Sequence, residues 1–116
     1  MNVEIQKEAR AYAVSIFIGC DDIIAAEDTC IEYCTRIGLC VTVSRTVYCY
    51  RGDSCEGIIV GLINYARYPK GRAAIFQTAV DLGYKLKQEL KQGSFTVQDH
   101  ERSVFVSTRD EDQPSK

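Results

Sequence analysis

The chain has 116 residues, 46% of them hydrophobic, and a formal net charge of −2. That is the size of one compact domain with apolar content for one core. The near-neutral balance argues against a nucleic-acid binder working through overall charge, and no apolar run approaches the roughly 20 residues of a membrane-spanning helix.

Residues 1–9 are polar and are expected to be frayed or helical. Glu4 and Glu8 stand where a secretory signal would carry basic residues. Residues 10–19, RAYAVSIFIG, predict a strand with Tyr12, Val14, Ile16 and Ile18 on one face. A helix follows, with Asp21 or Asp22 as N-cap and Gly38 as its stop. Its wheel gathers Ile23, Ile24, Cys30, Ile31, Cys34 and Ile37 on one side, and Asp28, Glu32 and Arg36 on the other. Glu27 falls near the apolar side, early enough for the helix dipole to favour a carboxylate.

Residues 39–50 predict a long strand whose apolar face is Leu39, Val41, Val43, Val47 and Cys49, interrupted by Arg45. RGDSCEG, residues 51–57, reads as a turn by composition, and its RGD triplet as ordinary turn chemistry rather than an adhesion motif. IIVGLIN, residues 58–64, is apolar enough for a central strand that pairs with the preceding one as a hairpin. After a loop, residues 72–92 predict the longest helix, with a stripe of Ile75, Phe76, Ala79, Leu82, Leu86 and Leu90. Gly83 lies inside that stripe, as expected where helix and sheet approach closely, and Gly93 is the expected stop. Residues 94–108 hold one bent strand or a small hairpin turning at Asp99 to Glu101, and the acidic tail 109–116 is expected to be disordered.

The order β-α-β-β-α-β, over a single domain of residues 1–108, implies an α+β fold: a ferredoxin-like antiparallel sheet with both helices on one face. Many unrelated functions use that fold, so it names none.

The six cysteines, Cys20, Cys30, Cys34, Cys40, Cys49 and Cys55, contain no C-x-x-C spacing, and His100 is the single histidine. With no secretion signal the expectation is reduced thiols packed as small hydrophobes in a cytoplasmic protein, without a metal. No cofactor motif is present, and a Cys–His catalytic pair would have to use His100 in a turn.

The stretch NYARYPKGRA, residues 64–73, is the principal candidate site. It places Arg67, Lys70 and Arg72 at a helix start, with Tyr65 and Tyr68 between them and Gly71 allowing close approach to the backbone. An anionic metabolite or nucleotide would meet backbone N–H groups, three cations and two rings there. Tyr48 and Tyr50 are candidate interface contacts on the sheet. The aromatic string of an RNA-binding domain is absent, so nucleic acid is not expected as a partner.

From these residues the expected function is a non-catalytic intracellular binding module. It would be a small regulator or inhibitor acting by protein–protein interaction, perhaps self-associating as a homodimer. Its size and simplicity, rather than any residue, suit a bacterial or phage setting. The alternative is a binder of an anionic small molecule through residues 64–72.

Overall fold

The structure is a computed structural model, and it describes residues 1–115. Five strands and two helices follow in the order β1 (Ala13–Gly19), α1 (Ile23–Ile37), β2 (Thr42–Tyr50), β3 (Asp53–Ile63), α2 (Arg72–Glu89), β4 (Ser94–Gln98) and β5 (Ser103–Ser107). The sheet order is β2-β3-β1-β4-β5, with every neighbouring pair antiparallel. The first four strands give the ferredoxin-like α+β arrangement, and β5 adds an edge. Residues 94–108 are therefore a hairpin, closed by Asp99, whose N–H donates to the Arg102 carbonyl at 3.1 Å.

The core is the helix-facing side of the sheet against α2. Val14, Ile16 and Ile18 of β1, Ile58, Val60 and Leu62 of β3, and Phe95 and Val97 of β4 are buried there. They alternate as strands with one covered face must. From α2 come Ile75, Phe76, Ala79, Leu82 and Leu86, the expected stripe, with Leu90 half-buried. Gly83 belongs to the same buried face, and a Cβ there would run into the Phe95 ring. The close helix–sheet approach anticipated at that glycine is real.

Four sequence expectations need correction. The β2–β3 turn is only Arg51-Gly52, at φ 51° and 76°. Two positive φ values in succession are the geometry of a tight hairpin, so residues 53–57 continue β3 instead of forming a loop. The left-handed residue ending α2 is Lys91, at φ 54°, and not Gly93. The α1 face is rotated: Ala26, Thr29, Cys30 and Tyr33 are buried, while Ile24 and Ile31 are 66% and 63% exposed. Small Ala26 admits close packing, and Thr29 satisfies its own hydroxyl on the Ala25 carbonyl at 2.9 Å, so it buries cheaply. A hydrophobicity wheel gives both residues too little weight.

The tail, expected to be disordered from residue 109, instead carries a single 3-10 turn at Asp110–Asp112; its last residue, 116, lies outside the described residues. Residues 1–11 form neither helix nor strand.

Candidate functional site

The loop from Asn64 to Gly71 is shaped by Asn64. Its amide Oδ1 accepts from the Lys70 backbone N–H at 2.9 Å, and its Nδ2 donates to the Arg10 carbonyl at 2.9 Å. One side chain thus closes the loop on itself and ties it to the segment entering β1. A tight turn inside it, Tyr68 N–H to the Tyr65 carbonyl at 3.0 Å, brings the two tyrosines to its rim. Gly71 caps α2 without a side chain, and the first α2 turn has no acid, so its dipole is uncompensated locally.

A cleft of about 650 Å³ opens beneath this loop, within the roughly 300–1,000 Å³ range of small-molecule sites. Tyr65, Arg67, Tyr68 and Lys70 line it together with Leu39, Cys40, Ile63 and Ile75. Its polar side is therefore cationic and aromatic, and its floor apolar. The Arg67 guanidinium lies 5.1 Å from the Tyr68 ring centre, a cation–π arrangement. Among the described residues neither Arg67 nor Lys70 is paired with a carboxylate. The Cys40 thiol beside the Tyr65 hydroxyl, then burial, pushes that phenol up from its ordinary range.

Gly71 and Arg72 line a neighbouring hollow with Tyr12, His100 and Glu101. Arg72 is already engaged: it binds Glu101 through two bonds of 2.9 and 3.1 Å and stands 3.7 Å from Asp99. Both carboxyls are held below their usual range. For Glu101 the main cause is the Arg72 hydrogen bond; for Asp99 it is the hydroxyl of Tyr12, followed by the N–H groups of Glu101 and Arg102. The third expected cation thus serves as a strut between α2 and the β4–β5 turn.

Tyr48 and Tyr50 are not near the loop. The Tyr48 hydroxyl donates to the Ile58 carbonyl at 2.8 Å and its ring covers Gly57, so it braces the β2–β3 ribbon. Tyr50 is 71% exposed at the hairpin tip, with the Arg51 guanidinium 5.1 Å from its ring. The sheet register puts these two at the far end from the loop, because Tyr50 pairs with Asp53 while Thr42 pairs with Gly61.

Sequence reading missed Asn64, Tyr12, Asp99 and Glu101 as the residues that hold the region in place. The Asp99 turn was visible as a turn, but its partner Tyr12 lies 87 positions away with no spacing to announce it. Among the described residues no group of three or more His, Cys, Asp or Glu side chains is arranged to hold a metal ion, and all six cysteines are free thiols. No helix in the described residues is long and apolar enough to cross a membrane.

No protein-family profile matches the chain, and no curated protein does. Solved structures do. A phage SAM lyase in complex with S-methyl-5′-thioadenosine matches with a TM-score of 0.69 at 15% identity, over 92% of this chain and 97% of that one. A phage SAM lyase in the apo state matches at 0.67 and 16%, over 91% and 97%. At this identity the likeness is one of fold, and it extends over nearly the whole of both chains. These neighbours are enzymes, and one holds a small molecule. That overturns the expectation of a non-catalytic regulator or inhibitor acting through protein–protein contacts.

Proposed function

We propose that this chain is a lyase acting on a sulfonium nucleoside, S-adenosylmethionine, in the cleft beneath residues 64–70. The observation that carries the reading is the near full-length match to a lyase of that substrate. The cleft's chemistry supports it.

Such a substrate has three parts: an adenine ring, a sulfonium cation and a zwitterionic amino-acid arm. Tyr65 and Tyr68 offer rings for the adenine to stack on and faces that attract a cation. Arg67 and Lys70 offer unpaired positive charge for the arm's carboxylate. The apolar floor of Leu39, Ile63 and Ile75 suits the uncharged thioether that remains after cleavage. The cations read from the sequence as an anion site keep their sign of ligand, with a carboxylate in place of a phosphate.

Cleavage to S-methyl-5′-thioadenosine breaks the bond between sulfur and the four-carbon arm. The bonding pair leaves with sulfur, turning the sulfonium into a neutral thioether, so no acid is needed to help the leaving group. Elimination would require a base, yet the lining contains no carboxylate and no imidazole. The arm's own carboxylate is the nucleophile at hand. It forms a C–O bond to the carbon that sulfur leaves, and the arm departs as a lactone with no water consumed. The chain's contribution is then to fold the arm back and hold it, a proximity effect. This explains a lyase without a catalytic acid–base pair.

Incubation of the purified protein with S-adenosylmethionine, followed by chromatography, tests the proposal. S-methyl-5′-thioadenosine should accumulate, and Arg67→Ala and Lys70→Ala should each slow its formation at least tenfold. A protein that neither turns over this substrate nor shifts in melting temperature with it or its thioether product overturns the reading.

A further inference from the structure

Residues 1–11 leave the body of the molecule. Val3 and Ile5 are 81% and 78% exposed, and among the described residues no backbone hydrogen bond joins residues 1–9 to the fold. The molecule measures 64 × 30 × 28 Å, whereas its longest strand, of eleven residues, spans only about 37 Å. The remaining length is the arm, which prolongs the line of β1.

The arm is polar by count but not by pattern. Its odd positions are Met1, Val3, Ile5, Lys7 and Ala9; its even positions are Asn2, Glu4, Gln6, Glu8 and Arg10. That alternation belongs to a strand with one buried face, yet the arm has no partner strand.

The same molecule offers the complementary vacancy. β2 is a nine-residue edge strand with one backbone edge unpaired. Long unpaired edges invite an added strand. Beside it, between α1 and β2, runs an apolar cleft of about 520 Å³ lined by Ile31, Leu39, Val41 and Val43. Val41 and Val43, like Val3 and Ile5, are two residues apart and so share a face. Glu27 is the one charged side chain lining this cleft, and Lys7 is the one charge on the arm's apolar face.

We infer that the arm of one copy adds as a sixth strand to the β2 edge of another, seating Val3 and Ile5 in that cleft with Lys7 against Glu27. An arm directed off the end of the sheet reaches its own β2 only by reversing, whereas a second copy can present that edge in its path. The inference does not depend on the proposed reaction.

Sedimentation of the full chain, with hydrogen exchange on residues 2–7, tests it. The wild-type protein should be a closed oligomer with slowed exchange in those residues. Ile5→Asp and Ile31→Asp, both at exposed positions where folding tolerates a charge, should each give monomers with fast-exchanging arms. Lys7→Glu and Glu27→Lys should each weaken association, and the double variant should restore it. A wild-type monomer overturns the inference, whether its arm is protected in cis or bare. So does an oligomer that survives both aspartate variants.

Discussion

The hydroxyl of Tyr12 donates to Asp99 Oδ2 at 2.7 Å, joining the first strand's entry to the turn between the last two strands. Asp99 Oδ1 accepts the backbone N–H groups of Glu101 and Arg102, each at 2.8 Å, and Arg72 approaches from the start of α2. Three elements far apart in sequence thus meet on one carboxylate whose side chain is only 4% exposed. They frame the loop that carries the candidate site.

This carboxylate should make folding sensitive to acid. Its folded pKa is depressed, first by the Tyr12 hydroxyl. Its contribution is therefore full above the unfolded-chain value, about 3.9, and is lost as pH falls below that toward the folded value. Urea midpoints at neutral and acid pH check this. Asp99→Asn should lower the neutral midpoint and flatten the fall below about pH 4; an unchanged acid slope would count against the role.

The partner group makes the mirror prediction in alkali. Burial, then the Asp99 hydrogen bond and charge, raise the Tyr12 phenol from 10.0 to about 12. The neutral phenol is favoured in the folded state, so its contribution is complete below about pH 10 and disappears as pH rises toward 12. In a phenolate absorbance titration of the native protein, Tyr12→Phe should remove the latest-titrating tyrosine and leave the early ones in place. Loss of an early component would refute the assignment.

How far the sequence carried these conclusions depended on the range of the interaction. The α2 stripe, Ile75 to Leu86, was readable because one helical period fixes it and the sheet covers it along its length. Asp22 and Gly38 were readable because caps are local: Asp22 accepts the Ala25 N–H at 3.1 Å, and Gly38 sits at φ 70°. Ile24 and Ile31 were misjudged because their orientation depends on where α1 docks, which only the third dimension decides. The loop was found from its charges, but Arg72 could not be separated from Arg67 and Lys70 without Glu101, 29 residues further on. The catalytic possibility was underrated because the search looked for an acid–base pair. Carbon–sulfur cleavage of a sulfonium asks mainly for positioning, and positioning leaves no short motif.

Gly83 fixes the separation of α2 from β4. A methyl group there would enter the space of the Phe95 ring, itself packed edge-on to Tyr84 at 5.3 Å. Gly83→Ala gains about 1 kcal/mol of helix propensity. Overpacking of a dense core costs about 1–3 kcal/mol, and a buried ring has little freedom to retreat, so the net should be destabilising. Denaturant unfolding measures it. The companion variant Gly83→Ala with Phe95→Leu should recover part of the loss; an alanine variant as stable as the wild type would mean that helix and sheet separate freely.

The thiols report whether the cleft beneath the loop is the binding site. Cys40, Cys49 and Cys55 are exposed, Cys34 is half-buried, and Cys20 and Cys30 are buried. Burial, assisted by the neighbouring Cys34 and Glu27, pushes the Cys30 thiol up to about 12, so it contributes almost no thiolate at neutral pH. A thiol reagent applied to the native protein should therefore modify Cys40, Cys49 and Cys55 first and leave Cys20 and Cys30 until denaturant is added. Cys40 alone of the exposed three lines the loop cleft; Cys49 and Cys55 lie on the β2–β3 hairpin. With S-methyl-5′-thioadenosine at a hundredfold excess over its Kd, about 99% of the sites are filled, so Cys40 labelling should slow by one to two orders of magnitude while the hairpin cysteines react as before. Equal protection of all three would indicate a global tightening of the fold. Protection of none, with binding shown independently, would move the nucleoside to another surface of the sheet.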